Sequence, residues 1–164
     1  MSTVRKPVPN PKRPGRSATP HVRASEVEPA GNARRLARQR TQLRACLEPR
    51  PEIRFAYLHG SALAGLPYRD LDVALYLDPA LPAAHDPFDY EMRLSVELTQ
   101  ALGFPVDVHV LNQAPLGFQH QAVRGDLLLV RDADELADYL ENVAQLYMEF
   151  AYLGRLYLRE VLRA

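Results

Sequence analysis

Apolar positions recur with two different periods along this chain, and the changes between them mark its elements. Ala33, Leu36, Ala37, Leu43 and Leu47 fall at helical spacing behind Asn32, a residue suited to cap a helix, and Pro49 and Pro51 end the run. The spacing predicts a helix from Ala33. Ile53 to His59 is rich in strand formers and lies between Pro51 and Gly60, which predicts a strand running into a turn. Val73 to Leu77 reads as its partner. Pro79, Pro82 and Pro87 keep the next stretch in a loop, after which Tyr90, Leu94, Leu98 and Ala101 set out a helix closed by Gly103.

Farther on, Pro105 to Leu111 alternates Val106, Val108 and Val110 with Asp107 and His109, so it is a strand with one buried and one polar side. The short apolar run from Asp126 to Val130, after Arg124-Gly125, reads as another strand or as a buried turn of helix. From Ala133 onward, Leu136, Leu140, Val143, Tyr147, Phe150, Gly154, Tyr157 and Val161 alternate spacings of four and three without a proline. That predicts one long helix, or two with a bend near Gly154, in which Tyr139, Tyr147, Tyr152 and Tyr157 serve packing. The stripe is longer than a small body needs to cover, which leaves part of it for a partner or a second copy in an oligomer. The expected fold class is α/β (α+β): a small mixed sheet with helices packed on one face, and a long C-terminal helix. Three stretches divide it: an arm over residues 1–32, a body over 33–131 and the terminal helix over 132–164.

Charge sharpens that division. Residues 1–50 hold twelve Lys or Arg against three Glu, and residues 51–164 hold eight against seventeen Asp or Glu, so a formal net charge of zero conceals a head of +9 and a body of −9. The arm carries six prolines and few large apolar side chains, which predicts disorder. It can make weak nucleic-acid contacts through its charge, although no aromatic residue is present there to stack on a base. Cys46 is the only cysteine, which excludes an intrachain disulfide and a cysteine-rich zinc framework. No apolar run approaches the roughly 20 residues of a membrane helix, and no signal-peptide core is visible. A cytoplasmic protein is expected.

The candidate chemistry lies between Phe55 and Leu77, in FAYLHGSALAGLPYRDLDVALYL. Asp70 and Asp72, two apart at the mouth of a strand, can face one cation, and magnesium suits such hard oxygen ligands. Asp107 is the candidate third carboxylate, because it stands on the polar side of an otherwise apolar strand. Gly60 permits a tight turn, and Ser61 with the amides that follow can donate hydrogen bonds to phosphate oxygens, with a helix starting near Ala62. His59 and His109 read as structural or solvent-facing.

These residues, with VDVHVLN from Val106 to Asn112, resemble the signature of the DNA polymerase β-like nucleotidyltransferases, and the compact body is similar to the minimal nucleotidyltransferases (MNT) of HEPN/MNT toxin–antitoxin pairs. The resemblance implies a polymerase β-like fold, ATP as substrate and two magnesium ions. It implies that Asp70, Asp72 and Asp107 are the catalytic and metal-binding residues, that Gly60 and Ser61 hold the triphosphate, and that AMP passes to a tyrosine of a HEPN toxin. The chain departs from the pattern in the segment Ala62 to Arg69, which is shorter than in many members and lacks the arginine often found soon after Gly-Ser. Arg69 could supply that charge to a phosphate. Two other functions fit the same residues: an antitoxin that neutralises its toxin by binding alone, and a nucleotidyltransferase acting on a small molecule.

Overall fold

The computed structural model describes residues 29–162. In chain order these form α1 (Pro29–Leu47), β1 (Ile53–His59), a 3-10 turn (Gly60–Ala64), β2 (Leu71–Leu77), a second 3-10 turn (Pro82–Ala84), α2 (Phe88–Leu102), β3 (Val106–Val110), α3 (Leu116–Ala122), β4 (Asp126–Val130) and α4 (Ala133–Val161). The strands make one mixed sheet in the order β3-β2-β1-β4. β1 lies antiparallel to both neighbours, whereas β2 and β3 run parallel, as a crossover through α2 requires.

Helices cover both faces of this sheet rather than one. Leu43 and Leu47 of α1, with Leu94 and Leu98 of α2, pack against Ala56, Leu58, Val73 and Leu75. On the opposite face Ala122 of α3 and Leu136 of α4 pack against Phe55, Tyr57 and Ala74. The reason lies in β1: all of its residues except Arg54 are buried, so it presents apolar side chains in both directions and needs cover on both. Phe55 stacks on Tyr76 at 4.7 Å and meets Tyr139 of α4 at 5.0 Å, while the Tyr139 hydroxyl donates to Gln119 of α3 at 2.9 Å.

β3 is an edge strand, and α2 closes it. Thr99, Ser95 and Glu91, four residues apart on one helix face, accept from the backbone N–H groups of Val106, Val108 and Val110 at 3.0, 3.0 and 2.6 Å. The edge is thereby barred from pairing with another strand.

Two local expectations change, and one alternative is resolved. α1 begins at Pro29, not Ala33, because proline suits a first helical turn; Asn32 is then inside the helix and buried instead of capping it. The last four residues of the expected arm are therefore helical, and the rest of it lies outside the described residues. The helix expected near Ala62 is the 3-10 turn Gly60–Ala64. α4 passes through Gly154 as a single helix, capped at its start by Asp132, whose carboxylate accepts from the N–H groups of Asp134 and Glu135 at 3.0 and 3.1 Å. Its first half is held by the body through Leu136 and Val143, whereas Met148, Phe150, Tyr152, Leu153 and Tyr157 are exposed. No helix among the described residues is long and apolar enough to cross a membrane.

Candidate active site

Strand register brings the candidate carboxylates together. β2 starts at Leu71, so Asp70 is the residue just before the strand and Asp72 its second residue. Asp72 is paired with His59 on one side and with Asp107 on the other, which makes a row of three polar side chains across β1, β2 and β3. Neighbouring strands lie about 4.8 Å apart, and residues in register share a face, so Asp72 and Asp107 stand side by side. Phe118 of α3 meets the rings of both His59 and His109 at 5.3 Å, which places the row on the α3 face of the sheet.

The electrostatics suit a cation. Burial pushes the Asp72 carboxyl above the usual range, His59 and His109 oppose that shift, and the charges of Asp70 and Asp107 add to it. Burial also depresses the buried His59, with His109 adding and Asp72 opposing, so its imidazole is neutral near pH 7 and Nε2 has no partner. Among the described residues none of the three aspartates forms an ion pair. Nor do any three Asp, Glu, His or Cys side chains already converge on one point as a cage would. Magnesium does not need a cage, since it takes one or two carboxylates and completes its shell with waters and phosphate oxygens. A half-buried carboxylate flanked by two others, none of them ion-paired among the described residues, fits that ion.

Gly60 is pressed on Asp72. Its φ is +79°, and a Cβ there would lie 2.0 Å from Asp72 Oδ2, so only glycine lets the turn sit against the carboxylate. Ser61 is exposed in the first turn of this segment, where its hydroxyl is open to a ligand. Beside them a pocket of about 230 Å³ is lined by His59, Gly60, Leu63, Gln121, Arg124 and Gly125. Arg69 is exposed, makes no hydrogen bond among the described residues and does not line this pocket.

The segment leading to Asp70 is anchored from α1. The buried Tyr68 donates its hydroxyl proton to Gln39 Oε1 at 2.5 Å and accepts from Arg35 Nε at 3.2 Å, while the guanidinium lies 4.3 Å over its ring. Leu71 N–H then donates to the Pro105 carbonyl at 3.0 Å, which ties the starts of β2 and β3. Tyr68→Phe leaves the buried Gln39 carbonyl unpaired and should lower unfolding stability by about 1–3 kcal/mol, read from a denaturant melt. An unchanged midpoint would remove this anchor from the account.

In the sequence His59 reads as structural or solvent-facing and nothing marks Arg124; strand register sets the first beside Asp72, and a turn between distant elements brings the second to the pocket.

Comparison with known proteins agrees with the geometry. A sequence model of the polymerase beta, nucleotidyltransferase family matches residues 41–134, a span that contains Gly60, Ser61 and all three aspartates. No curated protein matches the chain. Among solved structures, a chain from a complex of tri-AMPylated Shewanella oneidensis HEPN toxin with MNT antitoxin superposes with a TM-score of 0.59 at 19% identity, covering 77% of this chain and 98% of that one. A chain of the MntA–HepT toxin–antitoxin gives 0.57 at 18% identity, with the same 77% and 98% coverage. A toxin–antitoxin with AMP-PNP gives 0.60 at 20%, covering 75% and 98%. Likeness at these identities establishes a shared fold. With the family's sequence model spanning more than half of its length, the chain belongs to the polymerase beta nucleotidyltransferase family.

Proposed function

We propose that this nucleotidyltransferase is an antitoxin that silences a HEPN-type toxin by moving AMP from ATP to a tyrosine hydroxyl on it. One observation carries the reading: the in-register row of Asp72 and Asp107, with Asp70 beside it and the backbone of Gly60 held against the Asp72 carboxylate. The choice of a HEPN partner and of AMP as the group moved is supported by the toxin complexes, one of them with an AMPylated toxin, in which chains of this fold occur.

Asp70 and Asp72 would hold magnesium, with Asp107 completing the site. Magnesium, when bound, supplies the positive charge that offsets charge developing on the phosphate oxygens. Gly60 and Ser61 offer hydrogen bonds to those oxygens and orient the nucleotide. Asp107 is exposed on the edge strand, where an acceptor hydroxyl can reach it, and takes the acceptor's proton. The acceptor oxygen bonds to the α-phosphorus as the bond from that phosphorus to its bridging oxygen breaks, and pyrophosphate leaves with the electron pair. His59, buried and neutral beside Asp72, keeps water from the inner side of the carboxylate.

Purified protein incubated with magnesium, α-labelled ATP and its HEPN partner should leave label on the partner. A stable complex that never acquires label would favour neutralisation by binding alone. The outer half of α4 motivates keeping that second reading, since it exposes an apolar surface whether or not transfer occurs.

Phe150 and Tyr157 are 69% and 67% exposed and lie along the α4 stripe. Replacing both with aspartate should abolish co-elution with the toxin while the melting temperature stays within a degree or so of wild type, because neither side chain is packed in the body. Retained co-elution would place the docking face elsewhere.

A further inference from the structure

The deposit of charge that a nucleoside triphosphate brings must be met by cations, yet from Gly60 to Tyr68 the turn against Asp72 carries no charged side chain. Arg124 does stand beside it, on the turn between α3 and β4. It shares the pocket of about 230 Å³ with His59, Gly60 and Leu63. Several other arginines of the body are occupied: Arg40 by Asp126, Arg54 by Glu135, Arg131 by the carbonyls of Ile53, Glu48 and Arg50, and Arg35 by Tyr68. Arg124 is exposed and has no side-chain hydrogen bond or ion pair among the described residues.

Its backbone, by contrast, is fixed. Gly125 follows it, and a Cβ at that position would lie 2.1 Å from the Leu58 carbonyl oxygen, so the turn is packed directly on the end of β1. Gly125 N–H donates to the Ala122 carbonyl at 3.0 Å, and Asp126 pairs with Leu58. A rigid base thus carries, at the pocket that Gly60 also lines, an arginine whose side chain has no partner among the described residues. A planar fork of donors on such a base suits two phosphate oxygens at once.

We propose that Arg124 binds the β- and γ-phosphate end of the nucleotide, serving the Gly60 turn as the cation that the turn itself lacks. The assignment rests on the nucleotidyl-transfer reading for its ligand, and its geometry can be tested without the reaction. Binding of magnesium tripolyphosphate, magnesium ATP and AMP to the full chain is measured by calorimetry for wild type, Arg124→Ala, Arg124→Lys and Arg69→Ala. Arg124→Ala should weaken tripolyphosphate and ATP about 10- to 100-fold and leave AMP unchanged, with Arg124→Lys intermediate and Arg69→Ala close to wild type. In the transfer assay the same variant should raise KM for ATP more than it lowers kcat.

Equal tripolyphosphate affinity in wild type and Arg124→Ala overturns the assignment, as does a loss confined to Arg69→Ala. Arg124-dependent tripolyphosphate binding by a chain that labels no partner leaves the assignment standing and removes the transfer reading instead. Failure of wild type to bind either polyphosphate removes both. A melting temperature unchanged in Arg124→Ala, expected for an exposed side chain without partners, separates lost binding from lost fold.

Discussion

Changing Asp70 and Asp72 together to asparagine should reduce nucleotidyl transfer on the order of 1000-fold or more, with no loss of folding stability. The two effects have separate causes. Asparagine keeps the shape of each side chain but removes the negative charge through which a magnesium ion and the phosphates it holds are bound. Stability has the opposite dependence, since Asp72 is a half-buried carboxylate already pushed toward its neutral form by burial and by Asp70 and Asp107. Removing that charge relieves a repulsion that no ion pair among the described residues offsets. The double variant should therefore melt at or above the wild-type temperature while labelled AMP no longer reaches the partner. Full transfer by this folded variant would sink the catalytic assignment. Reduced melting would show that the carboxylates are held by partners the fold does not display.

The local elements of this fold are legible because their signals are local. β1 occupies Ile53–His59 and β4 Asp126–Val130, the spans their apolar runs mark out, and α2 ends at Gly103 in the left-handed conformation that glycine there predicts. α3 is different. Leu116–Ala122 is seven residues long, contains Gly117 and has no capping side chain, so nothing in its sequence separates it from a loop; contacts with α4 and β1 make it a helix. Its absence from the sequence reading also hid the second covered face of the sheet, because Phe118 and Ala122 are among the residues that cover β1 there.

The site divides in the same way. Gly60-Ser61 and Asp70-Leu71-Asp72 are local motifs, and Asp107 is conspicuous among valines. The pairing of Asp72 with both His59 and Asp107 depends on strand register, which joins residues thirteen and thirty-five positions away and is set by the packing of the whole sheet. No periodicity contains it. Arg124 comes to share a pocket with Gly60 through a turn more than sixty residues along the chain, held there by the close approach of Gly125 to Leu58, which no side-chain pattern announces.

Gly60→Ala should damage both the fold and the activity, and Gly65→Ala shows why. Both glycines have a left-handed backbone, with φ of +79° and +72°, so alanine meets the same conformational penalty of about 1 kcal/mol at either position. Around Gly65 nothing lies within 4 Å of an added Cβ, so its penalty ends there. At Gly60 the added carbon would also lie 2.0 Å from Asp72 Oδ2 and 2.8 Å from its Cγ, and either the turn or the carboxylate must move. Overpacking of this kind adds about 1–3 kcal/mol, and displacing Asp72 by an ångström should reduce transfer about 100-fold. Gly60→Ala is thus expected to lose clearly more stability than Gly65→Ala, and activity as well, whereas Gly65→Ala should keep near-wild-type transfer. Adding Asp72→Ala to Gly60→Ala supplies the decisive measurement, because the shorter side chain removes the atoms that collide. The double variant should be more stable than the sum of its single changes by about 1 kcal/mol or more in denaturant melts. Additive losses would mean that the turn does not rest on Asp72, and the link between the phosphate-holding backbone and the carboxylate row would be withdrawn.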